Sequence, residues 1–170
     1  MTGHILFRGT IAAALLLAPT MLAAAPKSAG ASGSATILHP LTLVNNQSMD
    51  FGILAATSAG TAVLDPVTGT ISTTGGVLAL GGTPAAALFT GAASGGSVVN
   101  IKLSNQTVNL TRVGGTETIP LSNLTLDGPS KRTMAKASSF QFHVGGTLTL
   151  ATGQVEGSYV GTFTVTAQYQ

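Results

Sequence analysis

The sequence predicts an all-β fold, either a sandwich or a barrel, and three observations support that prediction. After residue 31, no 12-residue segment has the apolar spacing i, i+3, i+4, i+7 of an amphipathic helix. Short apolar segments recur instead between glycine, proline and asparagine residues, which are typical of turns. The segment 159–169 alternates apolar and polar side chains, which is the pattern of a strand with one buried face.

Residues 1–31 have the layout of a secretory signal peptide. Arg8 precedes an apolar run at residues 11–25, which is shorter than the roughly 20 residues of a membrane span. The small residues at 29–31 offer a cleavage site, after which Ser32 would begin a mature chain without a membrane span. We therefore expect an exported bacterial protein, in the periplasm during transit and then on the cell surface or outside the cell.

Charged residues are scarce, at 7% of the chain against about a quarter in an ordinary soluble domain. Residues 32–170 carry five cations and five anions, so their formal net charge is zero and nothing favours a nucleic-acid partner. The absence of cysteine excludes disulfides and thiol chemistry. An uncharged surface rich in threonine and serine suits an extracellular or self-assembling protein.

The N-terminal part of the mature chain is predicted to be a strand at a sheet edge. Residues 35–44 place Ile37, Leu41 and Leu43 on one face, and Pro40 cannot donate a hydrogen bond to a neighbouring strand. Residues 45–47 are predicted to turn. We therefore divide the mature chain into an N-terminal strand segment, 32–48, and a β-sandwich domain, 49–170.

The domain is predicted to consist of short strands. A hairpin at 60–77 turns at Asp65-Pro66 and Gly69. Residues 139–144 would direct Phe140, Phe142 and Val144 inward, and Gly145-Gly146 would turn the chain into a separate strand. The charged segment 129–136 is expected to be a solvated loop. The remaining predicted strands are 49–54, 77–80, 85–90, 97–103, 107–113, 147–150 and 159–169.

The sequence contains no recognisable catalytic arrangement. His39 and His143 stand alone, without a second ligand at a spacing that suits a metal ion. The acidic residues are scattered, and no serine lies in a Gly-x-Ser-x-Gly elbow. Glycine pairs such as Gly75-Gly76 lack the lysine of a phosphate-binding loop. We expect no enzymatic activity, no catalytic residue, no metal and no cofactor.

Several motifs resemble those of a known family. They are Phe51-Gly52, the segment 65–70, Phe89-Thr90-Gly91, the segment 144–150 and the C-terminal segment 157–166. Together they resemble an uncharacterised family of exported, mostly proteobacterial proteins, a domain of unknown function. That family is similar to spore-coat-U-type domains and to archaic chaperone–usher pilins. The resemblance extends over about residues 35–170.

The resemblance implies an immunoglobulin-like β-sandwich of mostly antiparallel strands that serves as a fibre or pilus subunit. Such a sandwich lacks one strand, and a strand of a periplasmic chaperone, then the N-terminal extension of the next subunit, fills its groove. The implied partners are other copies or related subunits, the chaperone and an outer-membrane usher. Ile37, Leu41 and Leu43 are the candidate donor side chains, and Phe163, Val165 and Tyr169 are candidate walls of the groove.

Two other hypotheses remain open. In one, residues 35–44 complete the domain's own sheet, and the protein is a self-contained secreted domain that binds a carbohydrate or a cell-surface partner. If residues 35–44 were the first strand of a fibre subunit instead, its donor would be the weak alternation of small residues at 29–35, which cleavage of the signal peptide partly removes. In the other, the chain is an outer-membrane barrel, although the aromatic girdles expected there are poorly supplied by two tyrosines and no tryptophan.

Overall fold

A computed structural model describes residues 27–104, 107–135 and 139–170, so most of the predicted signal peptide lies outside the described residues. The chain divides into units 1–35 and 36–170. The described part of the first unit is exposed and without strands. The second unit is antiparallel β-structure without a helix among its described residues, which confirms the predicted β-sandwich. Its strands are β1 (Thr42–Gln47), β2 (Ile53–Leu64), β3 (Ile71–Gly81), β4 (Ala87–Ala92), β5 (Val98–Leu103), β6 (Val108–Arg112), β7 (Thr118–Leu126), β8 (Lys131–Thr133), β9 (Ser139–Leu150), β10 (Tyr159–Val160) and β11 (Val165–Tyr169).

The strand β9 organises the larger sheet because it pairs with three others. It pairs with β4 through its first half, with β2 through its second half, and with β7 across the middle. The sheet runs β1-β4-β9-β7-β6-β10, and the hairpin β2–β3 joins it through β2. A smaller sheet has the order β11-β5-β8. The antiparallel sheets curl into a half-barrel, and the core lies inside it.

The predicted turn at Gly145-Gly146 is wrong, because β9 continues through both residues. A Cβ atom at Gly145 would collide with the main-chain oxygen of Leu64 and with Pro66, which lie on and just after β2. At Gly146 it would come within 3.0 Å of Leu121 and 3.1 Å of Leu124. These glycines therefore allow close packing of neighbouring strands, and neither reverses the chain.

Two clusters of buried side chains form the core. In the first core, the Phe142 ring stacks on those of Phe89 and Phe140, with centroid distances of 5.3 and 6.2 Å. The predicted inward direction of Phe140, Phe142 and Val144 is confirmed. The other members of the first core are Ala87, Ala93, Val99, Ile101 and Met134. The second core consists of Phe51, Ala62, Leu64, Val77, Ile119, Leu121, Leu148 and Leu150.

The C-terminal segment changes sheets, so the prediction of one strand over 159–169 is wrong. Its start, β10, pairs with β6 in the larger sheet, whereas β11 pairs with β5 in the smaller one. The predicted buried face of this segment is nevertheless largely confirmed. Its half-buried side chains alternate with exposed neighbours and are those of Tyr159, Phe163, Val165, Ala167 and Tyr169. Gly161, which was predicted on the same face, is exposed. Alternation therefore predicted the buried face but not the partner strands.

The N-terminal strand lies later in the sequence than predicted. β1 begins at Thr42 and includes residues 45–47, which were predicted to turn. Its position follows from pairing with β4, where Thr42 is opposite Ala92 and Gln47 is opposite Leu88. The following strand also starts late, because Gly52 adopts a left-handed φ of 67° that ends extended geometry before Ile53.

Two strands occur where the sequence patterns predict none. The first of them is β7, and the second is β8. β8 lies inside the charged segment 129–136, which was expected to be a solvated loop. Lys136 of that segment lies outside the described residues. β8 forms because its backbone pairs with β5, placing Arg132 opposite the buried Val99. The side chain of Arg132 is consequently only 20% exposed.

Asp127 links the β8 and β9 strands through its carboxylate. Oδ1 accepts a hydrogen bond from Arg132 Nη2 at 2.7 Å, and Oδ2 accepts one from the main-chain N–H of His143 at 2.8 Å. His143 Nδ1 lies 2.9 Å from the same Oδ2. Burial alone would raise the pKa of Asp127, but the hydrogen bonds from His143 and Arg132 outweigh it and hold that pKa below its ordinary value.

Candidate functional site

Two adjoining cavities open into the second core between residues 49–56 and residues 154–163. Their volumes are about 460 and 620 Å³, and they share a lining of Met49, Phe51, Leu110 and Tyr159. The first reaches Phe89 and Leu121, and the second reaches Ile119, Leu148 and Leu150. We call the two cavities together the groove. Its floor is apolar because it consists of side chains directed toward the core.

The groove lies between two stretches of backbone that each have a strand partner on one side only. Ile53 to Ala56 pair with β3, whereas the later part of β2 pairs with both β3 and β9. Across the groove, β10 pairs with β6 and with no second strand among the described residues. Unpaired strand edges present main-chain donors and acceptors. The groove therefore combines an apolar floor with two backbone edges that could receive an added strand.

One wall of the groove is fixed by a short antiparallel bridge. The N–H of Asp50 donates to the carbonyl of Ala85 at 2.8 Å, and the N–H of Ala85 donates back at 2.9 Å. Asp50 Oδ1 also accepts from Gly52 N–H at 2.7 Å. A Cβ atom on Gly52 would approach the main-chain oxygen of Gly81 at 2.5 Å, so glycine is required at this bend. The bend directs Phe51 into the second core, where it is 8% exposed.

Hydrogen bonds around Tyr159 fix the opposite wall. Its hydroxyl donates to the carbonyl of Val155 at 2.6 Å and accepts from Gln154 Nε2 at 2.8 Å. Tyr159 is paired with Arg112 of β6, whose Nε donates to Glu117 Oε2 at 2.7 Å. The hydrogen bond from Arg112 is the main cause that lowers the pKa of Glu117 from 4.5 to about 2.

Acid should weaken the domain between about pH 4.5 and pH 2. The folded-state pKa of Glu117 is depressed, so its stabilising contribution is present above the unfolded pKa and is lost as the pH falls toward 2. The depressed pKa of Asp127 contributes with the same sign. Thermal melting at pH 5, 3 and 2 would measure the decline, and Glu117→Gln should flatten it. An equally steep decline in that variant would contradict the assignment to Glu117.

A comparison with family models assigns the domain. The model described as "Domain of unknown function (DUF4402)" matches residues 41–169. The chain belongs to the DUF4402 family. The match begins at Leu41 and includes every described strand, whereas Ile37 lies before it. No curated protein and no solved structure matched the chain. In the described part of the chain, no helix is long and apolar enough to cross a membrane.

The groove of this DUF4402 domain contains one of the three predicted wall residues. Phe163 lines it, with its ring edge-to-face against Phe89 at a centroid distance of 6.3 Å. Val165 and Tyr169 lie on β11 instead and pack against the first core. Met49 and Tyr159 also line the groove but were not among the predicted wall residues. The available signal for this wall was Gly52, because a glycine inside a predicted strand indicates a bulge or a close backbone contact.

The structure separates the predicted donor side chains. Leu41 and Leu43 are half-buried and pack against the first core of their own domain. Ile37 is 94% exposed. His39 lies between them and is held to the domain: its N–H donates to Ser94 Oγ at 2.5 Å, and its carbonyl accepts from the Tyr169 hydroxyl at 2.7 Å.

The described residues contain no cluster of metal-ligating side chains. No group of three or more His, Cys, Asp or Glu side chains among them could hold a metal ion. His39 takes part through its main chain in the contact with Ser94 and Tyr169, and His143 contacts Asp127. The groove combines an apolar floor with unpaired backbone edges, so the chemistry that it offers is apolar contact and main-chain hydrogen bonding.

Proposed function

We propose that this protein is a secreted, non-catalytic structural subunit that assembles into a surface fibre by strand complementation. The groove is the acceptor, and residues 32–38 of another copy or of a related subunit provide the donor strand. One observation carries the proposal: an apolar floor lies between two backbone edges that have no second strand partner among the described residues. A groove of this kind is suited to an extended peptide.

The donor segment matches the groove in polarity. Residues 32–38 contain no charged side chain, and Ile37 and Leu38 are 94% and 44% exposed. Asp50 and Glu156 are the charged side chains that line the groove, so an uncharged donor adds no second charge that would have to be desolvated.

The apolar contribution of the donor is modest. Complete burial of Ile37 would contribute about 1.5–3 kcal/mol, which is less than the roughly 4–15 kcal/mol entropic cost of association. Main-chain hydrogen bonds on both edges must therefore supply much of the affinity. A periplasmic chaperone that protects the groove, and an usher that presents subunits to each other, would fit this limited affinity and are part of the proposal.

Replacing Ile37 with aspartate should abolish assembly of the mature chain into oligomers larger than a dimer without affecting its folding. The side chain is 94% exposed, so the monomer loses almost no packing, whereas a charge in the apolar groove would be strongly unfavourable. Size-exclusion chromatography over a range of concentrations would measure association, and thermal melting would measure folding.

Val67→Asp is the matched control, because Val67 is 73% exposed in the β2–β3 turn. This variant should assemble like the parent chain. Deletion of residues 32–44 should leave secretion intact and abolish assembly, but it also removes the packing of Leu41 and Leu43, so the point variant is the sharper test. Undiminished assembly of both Ile37→Asp and a chain lacking residues 32–38 would contradict the proposal.

A second candidate function is a self-contained secreted domain that binds a carbohydrate or a cell-surface partner. The observation that favours it is the pairing of β1 with β4 of the same chain, with Leu41 and Leu43 packed in their own core. A mature chain that remains monomeric and unfolds cooperatively without a chaperone would support this function over fibre assembly.

A further inference from the structure

The strand β3 forms an unprotected edge of the larger sheet. It is 11 residues long and pairs with β2 on one side, and no described residue pairs with its other side. Natural edge strands are usually protected by charged residues, proline or short length. β3 contains neither a charged residue nor proline, and residues 66–101 contain no Asp, Glu, Lys or Arg. Nothing in this part of the chain opposes pairing with another uncharged strand.

An apolar patch lies on the β2–β3 hairpin, next to this edge. Leu78 and Leu80 are two residues apart, so they lie on the same face of β3, where they are 52% and 64% exposed. Val77 lies on the opposite face and is buried in the second core. The strand register places Leu78 opposite Ala55, and Ile53, which is 60% exposed, opposite Gly81. We call Ile53, Leu78 and Leu80 the β3 patch. The burial of Val77 shows that Leu78 and Leu80 face away from the second core, whereas Ile53 also lines the second cavity.

We propose that β3 pairs antiparallel with β3 of a second copy, so that the larger sheets of two molecules continue into each other. A twofold axis at Ala79 would place Leu78 of each copy opposite Leu80 of the other. Side chains directly opposite each other on antiparallel strands have Cβ atoms about 4.5–5.5 Å apart. Four leucines would then form one apolar cluster, with Ile53 of each copy beside it.

The absence of charge and the symmetry favour a second copy as the occupant. A charged partner would find no complementary side chain on β3, whereas an identical strand meets no like charge. Pairing about a twofold axis also uses both patches at once and closes the assembly at two copies. Three partly exposed side chains per copy bury on the order of a few hundred Å², well below the roughly 1,200 Å² of stable interfaces, so the dimer is weak and concentration-dependent.

A cysteine at the twofold axis tests the register. In the proposed dimer, residue 79 faces its counterpart with Cα atoms about 4.5–5.5 Å apart, a separation that a disulfide can span. The chain has no cysteine of its own, so Ala79→Cys introduces a single reporter. On mild oxidation at high protein concentration it should form a disulfide-linked dimer several-fold faster than the exposed control Val67→Cys. Equal rates for the two variants would overturn the register.

A charge on the patch tests the interface itself. In a chain lacking residues 32–38, which removes strand complementation, Leu80→Lys should abolish the concentration-dependent dimer in sedimentation equilibrium, whereas Val67→Lys should preserve it. Both positions are exposed, so the melting temperature should change little. Removal of residues 32–38 should leave the Ala79→Cys crosslink unchanged, which separates this interface from the strand complementation proposed above. A chain lacking residues 32–38 that stays monomeric at millimolar concentration, or dimerises normally when it carries Leu80→Lys, would overturn the proposal.

Discussion

Replacing Phe142 with alanine is expected to lower the free energy of unfolding by about 3–5 kcal/mol. Phe142 is fully buried, and its ring stacks between those of Phe89 and Phe140. The guanidinium carbon of Arg132 lies 5.5 Å from its ring centroid, so the truncation also removes a cation–π contact. Since domains are typically stable by only 5–15 kcal/mol, the variant should be marginally folded. Urea denaturation monitored by circular dichroism would measure the loss.

Val160→Ala is the corresponding control in an exposed position. Val160 is 58% exposed on the short strand β10, so its truncation should change the unfolding free energy by less than about 0.5 kcal/mol. Comparable losses in the two variants would show that the stacked phenylalanines do not form the stabilising centre of the sandwich.

The burial of Phe142 was predictable because alternation is a local property of a strand. Side chains two residues apart lie on the same face whichever strand is the neighbour. The sequence pattern therefore predicted the inward face of residues 139–144 and also that of the C-terminal segment, even though this segment changes sheets between β10 and β11.

The partner of a strand depends on residues that are distant in the sequence, and the wrong predictions are those that depended on the partner strands. Gly145 resembles a turn residue in sequence, but the main-chain oxygen of Leu64, about 80 residues earlier, makes glycine necessary. β1 lies at residues 42–47 because β4 pairs with it there, although residues 35–44 alternate better. Likewise, β8 occurs in a charged segment because β5 provides a partner for its backbone.

The same distinction explains which parts of the groove could be predicted. Phe163 was identified because it belongs to the alternating C-terminal segment. Met49, Phe51 and Tyr159 line both cavities, but the groove exists because Ile53 to Ala56 and β10 each lack a second strand partner among the described residues. Such a property concerns the whole sheet, and no short sequence pattern encodes it.

Asp127→Ala is expected to lower the free energy of unfolding by about 2–3 kcal/mol, because it removes hydrogen bonds to a charged group in a partly buried position. The carboxylate is 19% exposed and accepts from Arg132 and from the main chain of His143. The loss should be largest near neutral pH and should shrink as the pH falls below the ordinary aspartate pKa of 3.8 toward the depressed pKa of Asp127 in the folded chain. Urea denaturation at pH 7 and pH 3 would measure both values. A loss of the same size at both pH values would contradict the ionic contribution.

A second substitution distinguishes two possible sources of the stability lost in Asp127→Ala. With Asp127 absent, Arg132 is left with its hydrogen bonds to the carbonyls of Gln141 at 2.7 Å and Pro129 at 3.3 Å, but its charge has lost its carboxylate partner. Replacing Arg132 with methionine in the Asp127→Ala background removes this charge while retaining apolar contact with Phe142, so it should restore about 1 kcal/mol. If the double variant is no more stable than Asp127→Ala, the cost arises instead from the unsatisfied N–H of His143. Asp127 would then act chiefly on the backbone of β9, and the pairing of β8 with β5 would not depend on the ion pair.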